Sequence, residues 1–346
     1  MPPLPPDGAS RQLPSSIVAR EFGEVNVRRR GPSLEVSFTV LMEPQGDLAE
    51  GWRTGVALDA SSSMKNSFGR GLRGRVPDDV VTDYLRKGWL EELDQDGRRV
   101  LQYQPQGYED AVARGYLSFT RNLVEPLARD FISYLASNLD VGGGSTVIYW
   151  ACDDGSAYEV LGDFTARQVR SLSFAGPRQK DFGNGTRLLP AVRYFAERFS
   201  GARRGMYLFL TDGRLDDLAA VKEYTLGLCR EIASGRRNPI KCVLIGVGEQ
   251  VDPSQLVELD DLQTGTDVDV WDHKIAREMR DLVEIFAEVV DENHVIAPDA
   301  RIFDADGRVV KRFRDGMPAK VSFSMPATSG WFELEVNGER VRQRVV

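Results

Sequence analysis

The residues of this chain best suited to chemistry lie in the segment 55–64, where a short apolar run ends in Asp59. Ser61 and Ser63 follow at the second and fourth positions after it. An apolar run this short predicts a buried parallel strand, and open α/β sheets bind ligands at the carboxyl ends of such strands. One carboxylate and two hydroxyls offer only oxygen donors, which suit a hard cation such as Mg²⁺. The spacing therefore predicts a cation site.

The Asp-x-Ser-x-Ser spacing resembles the opening of the metal-ion-dependent adhesion site of von Willebrand factor A (vWA) domains. That family has two further ligand positions, and downstream segments of this chain supply both. Thr186 ends the glycine-rich loop 181–186 before a predicted helix, and Asp212 follows the apolar run 206–210. Three segments in this order, each at a strand end or helix start, make the resemblance far more specific than the first motif alone.

The resemblance implies a role for each residue of the set. Ser61, Ser63 and Thr186 are implied to be direct hydroxyl ligands of Mg²⁺ or Mn²⁺. Asp59 and Asp212 are implied to act through hydrogen-bonded waters, which leaves the metal electrophilic with an open coordination position. In the family, that position accepts an Asp or Glu carboxylate of a partner protein. Any one of these residues could instead cap a helix or a turn, but the five together favour the metal site.

The resemblance covers residues 51–292, and its layout is closest to bacterial intracellular vWA proteins of the tellurite-resistance and MoxR-associated type. It implies an adaptor or scaffold in a multi-protein stress or defence assembly rather than an enzyme, with an AAA+ ATPase of the MoxR type as one suggested partner. Two alternatives stay open. One is a Mg²⁺-dependent hydrolase or phosphotransfer enzyme that uses the same site, and the other is a structural domain whose metal only stabilises it.

Motifs for other chemistries are incomplete. A phosphatase of the haloacid dehalogenase type needs a second acid two residues after the first, where this chain has Ser61. A serine-hydrolase triad needs a histidine, and we expect both His273 and His294 at the surface. The run 69–74 matches Gly-x-Gly-x-x-Gly, but a Val-Pro pair at 76–77 follows in place of a helix, which favours a loop over a nucleotide site.

Composition narrows the class of protein further. The chain has 346 residues, of which 42% are hydrophobic and 28% charged, and its formal charge of −8 argues against a nucleic-acid partner. Three cysteines, Cys152, Cys229 and Cys242, lie in or beside apolar runs and are expected to be buried free thiols in a reducing compartment. No apolar signal region and no stretch of about 18 apolar residues occurs. We therefore expect a cytoplasmic protein with no membrane partner.

The elements that must position the site follow an alternating pattern. Apolar runs alternate with helix-period segments, which predicts an α/β fold with a doubly wound, mostly parallel six-stranded sheet flanked by helices. The predicted strands after the first are 147–152, 158–161, 206–210, 242–247 and 268–271. The predicted helices are 187–199, 215–233, 253–262 and a last one with Ile275, Met279, Leu282, Phe286 and Val289 on one face.

One departure from the family is an insertion over residues 66–108, placed between the serine loop and the first family helix. Its pattern predicts a helix over 80–93 and a turn at the Asp-Gly pair 96–97. The first family helix is then expected over 109–138, with a break near Pro126. The insertion either covers the site or is a surface feature.

The arginines of this insertion also have two interpretations. Arg70, Arg73 and Arg75 could steer an acidic partner towards the metal. A solvated loop balanced by Asp78 and Asp79 is the interpretation that we favour.

The two ends of the chain predict β structure. Residues 1–15 are rich in proline and polar residues and are expected to be disordered, whereas 16–50 contain strand-like runs. Residues 294–346 form a second domain, with hairpins around an Asp-Gly and an Asn-Gly pair and a strand at 320–323 between them. A sheet of this size is marginal alone, so we expect 16–50 to complete it as a small antiparallel β-sandwich.

Overall fold

The computed structural model describes residues 4–14, 17–41, 50–95, 98–248, 251–279, 282 and 295–345. Its α-helices are α1 Asp78–Lys87, α2 Pro105–Ala113, α3 Val124–Asn138, α4 Ala166–Val169, α5 Leu189–Arg198, α6 Leu218–Ala233 and α7 Ser254–Asp260. The strands up to the main sheet's last are β1 Ser10–Gln12, β2 Phe22–Arg30, β3 Ser33–Val40, β4 Trp52–Asp59, β5 Leu72–Gly74, β6 Leu90–Gln95, β7 Arg98–Tyr103, β8 Leu117–Phe119, β9 Ser145–Cys152, β10 Ala157–Phe164, β11 Arg204–Thr211, β12 Ile240–Gly246 and β13 Trp271–Ile275. The remaining strands are β14 Val295–Ala297, β15 Ala300–Phe303, β16 Val309–Phe313, β17 Met317–Pro318, β18 Lys320–Pro326, β19 Trp331–Val336 and β20 Glu339–Arg344.

The main sheet has six strands in the order β10-β9-β4-β11-β12-β13, all parallel except β10. Strands β9 and β12 are buried along their whole length, as expected of apolar strands covered on both faces. Val56 and Leu58 of β4 pack in one core cluster with α3, and Ala57 packs in a second with α5 and α6. The predicted α/β class with a mostly parallel six-stranded sheet is therefore confirmed.

The strand order reverses between β4 and β11. From β4 the chain continues to β9 and β10 on one side, and β11 begins the other side with β12 and β13. Ligand crevices of open α/β sheets form at such a reversal, beyond the carboxyl ends of the strands. Asp59 is the last residue of β4 and Asp212 comes directly after β11, so both lie at this reversal.

Two expectations at the far edge of the sheet need revision. The last strand runs over Trp271–Ile275 and not over 268–271. Ile275 therefore ends a strand instead of beginning a helix, and a 3₁₀ helix, Ala276–Glu278, follows. Phe286 and Val289 of the predicted helical face lie outside the described residues.

The insertion folds around a small core of its own, centred on Tyr84. Helix α1 ends at Gly88, which has φ +67° and closes the helix in the left-handed conformation. The predicted extension of this helix to residue 93 is therefore wrong, since Leu90 begins β6 of a hairpin with β7. The Asp-Gly pair 96–97 lies outside the described residues.

The expected helix over 109–138 is two helices, α2 and α3, separated by β8. Pro126 lies in the first turn of α3, where a missing N–H costs no helical hydrogen bond, so the break is not there. Strand β8 pairs with β5, and the expected insertion boundary at residue 108 falls inside α2.

The ends of the chain form two antiparallel sheets, β1-β2-β3-β18 and β16-β15-β19-β20, which share one hydrophobic core. The Phe332 ring of the second sheet is 5.4 Å from the Phe38 ring and 5.0 Å from the Phe323 ring of the first, so the two sheets meet through aromatic contacts. Both predicted hairpins form, and Asn337 has the positive φ of 53° that an Asn-Gly turn requires.

Two details of this region differ from the expectation. Strand β18 does not lie in one sheet with the two hairpins but pairs with β3 along seven residues. Residues Ser10–Gln12, expected to be disordered, pair with β2 as strand β1. Both differences have one reason: β2 and β3 form a hairpin whose two outer edges accept further strands, and unpaired edges are costly to leave exposed.

Candidate metal centre

Asp59 is fully buried at the end of β4, and hydrogen bonds from Ser61 and Thr211 hold its carboxylate. Its Oδ1 accepts the Ser61 backbone N–H at 2.7 Å, and its Oδ2 accepts the Thr211 hydroxyl, also at 2.7 Å. Burial raises the pKa of Asp59 from 3.8 to about 7. The hydrogen bonds from Thr211 and Ser61 oppose this rise, and the charge of Asp212 adds to it. A cation bound beside it would keep such a carboxylate ionised.

The serine loop is clamped against the segment that carries Thr186. The Gly183 N–H donates to the Ala60 carbonyl, and the Gly183 carbonyl accepts the Ser62 N–H, both at 2.9 Å. The hydroxyl of Ser62 also donates to that carbonyl at 2.9 Å. A Cβ at Gly183 would stand 2.0 Å from the carbonyl oxygen of Ala151, so only glycine permits this approach.

The ligand hydroxyls predicted in the serine loop lie side by side. Ser61 Oγ is 3.0 Å from Ser63 Oγ, close enough for one hydroxyl to donate to the other. Ser61 is buried, whereas Ser63 is exposed. The loop therefore joins a buried carboxylate to a hydroxyl that faces solvent.

Asp212 supplies the second carboxylate. It is half-buried, and its Oδ1 is buried without a hydrogen-bond partner among the described residues. Burying a carboxylate oxygen without a hydrogen-bond partner costs folding free energy. Asp212 also lies near enough to Asp59 for the two charges to interact. The structure thus brings two carboxylates together and leaves an acceptor for which the described chain provides no donor.

Thr186 is buried and is brought to the same end of the sheet by two contacts. One is the Gly183 clamp, three residues earlier in the loop. The other is Asp216, which follows Asp212 by four residues and whose Oδ2 accepts the Thr186 N–H at 2.8 Å. All five predicted residues therefore stand on segments that the backbone ties together, and the hydroxyl of Thr186 has no direct hydrogen bond to the other four within the described residues.

Three residues around the site were missed by sequence reasoning. Thr211 donates to Asp59, and Asp216 and Asp217 accept backbone N–H groups on either side of Arg187. All three lie within five residues of Asp212, so proximity to the motif was the available signal. Their partners come from distant parts of the chain, and spacing alone does not reveal such pairing.

A second group of metal-ligating type lies at the far edge of the sheet. The ligand atoms of Asp260, Asp272 and His273 are all within 4.8 Å of one another. His273 Nδ1 stands 2.6 Å from Asp260, and the Lys274 ammonium stands 2.9 Å from Asp272, so both carboxylates already have partners within the protein. His273 lies in β13 with its side chain only 14% exposed, which corrects its expected place at the surface, and His294 lies outside the described residues.

The arginines of the insertion have different surroundings. Arg70 Nε donates to the Ala175 carbonyl at 2.8 Å, which ties the base of the insertion to the loop after α4. Arg75 pairs with Asp78 at 3.2 Å, and both side chains are largely exposed. Asp78 therefore balances the charge of Arg75, as expected for a solvated loop. An exposed ion pair of this kind contributes little to stability.

No protein-family model matches the chain, and no curated protein matches it. In the part of the chain that the structure describes, no helix is both long and apolar enough to cross a membrane.

Proposed function

We propose that this chain is a divalent-cation-dependent protein-binding adaptor with a doubly wound vWA-type domain. The cation, Mg²⁺ or Mn²⁺, would be held by Asp59, Ser61, Ser63, Thr186 and Asp212, and it would bind an Asp or Glu carboxylate of a partner protein. The resemblance suggests a bacterial stress or defence assembly, with an AAA+ ATPase of the MoxR type as one component. The three free, buried cysteines favour a reducing, cytoplasmic setting.

The observation that carries this proposal is the buried Oδ1 of Asp212, which has no hydrogen-bond partner among the described residues and lies beside the buried carboxylate of Asp59. The charge of Asp212 contributes to the raised pKa of Asp59, and a cation between the two carboxylates would oppose this effect. The set of donors is entirely oxygen, which suits Mg²⁺ or Mn²⁺. A cation site is therefore the arrangement that uses all five residues.

Recognition is favoured over catalysis by what surrounds the serines. The described histidine, His273, lies in β13, two strands away from β11, and is paired with Asp260. Ser61 and Ser63 hydrogen-bond to each other, and no described histidine stands next to either hydroxyl. Exposure of Ser63 leaves an open side from which a carboxylate could reach the metal.

Asp212→Asn is the variant that tests the cation. It removes a charge without breaking a hydrogen bond that the structure gives for Oδ1. We expect calorimetric Mg²⁺ and Mn²⁺ binding to wild type and none to the variant, with both proteins folded. Asp304→Asn is the matched control, because Asp304 is a buried aspartate of the β-sandwich that accepts two backbone N–H groups away from the site.

Partner capture then separates adaptor from enzyme. We expect immobilised wild-type protein to retain partners in Mg²⁺ and release them in EDTA, and Asp212→Asn to retain none. Mg²⁺-dependent hydrolysis of a phosphoester, lost in Asp212→Asn, would favour the enzyme. Unfolding of the protein on metal removal, with no partner lost selectively, would favour a purely structural metal.

A further inference from the structure

Asp216 makes a two-point contact with the predicted ligand Thr186. Its Oδ2 accepts the Thr186 N–H at 2.8 Å, and its own N–H donates to the Thr186 carbonyl at 2.9 Å. Both backbone groups of Thr186 are thus bonded to one residue. Because a residue fixed at its N–H and its C=O has little freedom left in φ and ψ, Asp216 sets the direction in which the Thr186 side chain leaves the backbone.

The same contact limits the residue before Thr186. An added Cβ at Gly185 would stand 3.0 Å from Asp216 Oδ2, so the carboxylate packs directly over the glycine. Asp216 is itself exposed, which means that it occupies this position by its hydrogen bonds and not by burial in the core. The hydrogen bond from the Thr186 N–H therefore holds the Asp216 side chain in place.

The adjacent aspartate, Asp217, contacts the start of a helix instead of Thr186. Asp217 accepts the N–H groups of Leu188 and Leu189, each at 2.9 Å, at the start of α5. These are N–H groups of a first helical turn, which lack partners within the helix. Asp217 therefore stabilises the helix, and the pair of neighbours provides two similar carboxylates with separable roles.

We infer that Asp216 is a positioning residue for the metal site, an inference that rests on the proposed function. It joins Thr186 to the segment that follows Asp212, so the two downstream ligands are held as one unit. Residues that orient metal ligands without touching the metal typically change its affinity 10- to 100-fold when lost, as an order of magnitude. The affinity for the cation should therefore depend on Asp216 through the geometry of Thr186.

The test compares three full-length variants. Asp216→Ala removes the acceptor, Asp216→Asn keeps an acceptor oxygen without the charge, and Asp217→Ala removes the helix contact. For Asp216→Ala we expect faster exchange of the Thr186 amide hydrogen without metal, and Mg²⁺ binding weakened about 10- to 100-fold. Asp216→Asn should restore most of the affinity, whereas Asp217→Ala should lower Tm and leave the Mg²⁺ affinity within about threefold, since it bonds only the helix start.

The outcomes separate the two proposals. Absence of Mg²⁺ binding to the wild-type protein would overturn the proposed function and this inference with it. Normal wild-type binding with an unchanged affinity in Asp216→Ala would overturn this inference alone. An affinity in Asp216→Asn as low as in Asp216→Ala would also overturn it, because charge rather than the hydrogen bond to Thr186 would then be what matters.

Discussion

At the level of single residues, the chemistry of the site depends on a carboxylate that the fold removes from water. Asp59 is completely buried, and its hydrogen bonds to Ser61 and Thr211 do not offset the loss of solvent, so its pKa rises to about 7. Asp212 stands nearby with a buried oxygen that has no hydrogen-bond partner among the described residues. The metal-free protein therefore holds a destabilising pair that a cation would relieve.

This pair predicts a pH dependence of stability without metal. At pH values below 3.8 Asp59 is protonated in both the folded and the unfolded chain, so its stabilising contribution is fully present. As the pH rises towards 7, the unfolded chain loses this proton and the folded chain keeps it, so the free energy of unfolding falls by on the order of 4 kcal/mol. In EDTA, the Tm of wild type relative to Asp59→Asn should fall across this range. A constant difference would contradict the prediction.

The cysteines give a second prediction for single residues. All three are buried and free, and burial raises the pKa of Cys152 to about 12 and raises the pKa values of Cys229 and Cys242. Since the thiolate is the reactive form, we expect no labelling of the native protein by a thiol reagent and labelling of all three after denaturation. Fast labelling of a native thiol would show that its site opens locally.

At the level of elements, the site depends on two loops whose backbones approach so closely that only glycine fits at their contact. The serine loop and the Thr186 loop meet at Gly183, whose backbone bonds to Ala60 and Ser62. Each loop follows or precedes a buried element, β4 in one case and α5 in the other. The sheet and the helix therefore hold the two loops in a fixed position relative to each other.

Gly183→Ala tests this contact between loops. The new Cβ would lie 2.0 Å from the Ala151 carbonyl oxygen, so the loop must move. We expect a loss of about 1–3 kcal/mol in the free energy of unfolding, together with weaker Mg²⁺ binding. Gly201→Ala is the control, because nothing lies within 4 Å of its added Cβ, and it should leave both quantities unchanged. Equal effects of the two variants would argue against a specific clamp.

At the level of the whole molecule, the two ends of the chain depend on each other. Strand β18 pairs with β3 over seven residues, and Phe22 and Phe38 from the first segment pack against Phe332 from the last. Neither segment has a complete core without the other. The β-sandwich is therefore built from segments that precede and follow the α/β domain in the sequence. It can fold only when both segments are present.

This dependence predicts how fragments behave. A peptide of residues 295–345 should show no cooperative unfolding transition by circular dichroism, because it lacks the strand that pairs with β18. Fusion to residues 4–41 through a flexible linker should restore one. Cooperative unfolding of the isolated peptide would contradict the interdependence of the two sheets.

Much of the fold could be predicted from local patterns. The apolar runs identify β4, β9, β11 and β12, and the Asn-Gly pair predicts the last hairpin, because periodicity and turn chemistry act over a few residues. Such patterns do not predict a short element correctly when contacts with a neighbouring element determine whether it is a helix or a strand. Leu90 continues a helical pattern in the sequence, but Gly88 ends the helix and the hairpin partner makes it a strand.

The sequence by itself determined which five residues offer oxygen donors at strand ends and helix starts, since motif spacing is a covalent property. Only the tertiary structure decided that Asp59 is buried, that Thr211 and Asp216 hydrogen-bond to Asp59 and Thr186, and that β18 joins the N-terminal sheet. These facts depend on desolvation and on which sheet edges remain free. Both are set by contacts between residues far apart in the chain, which local spacing does not record.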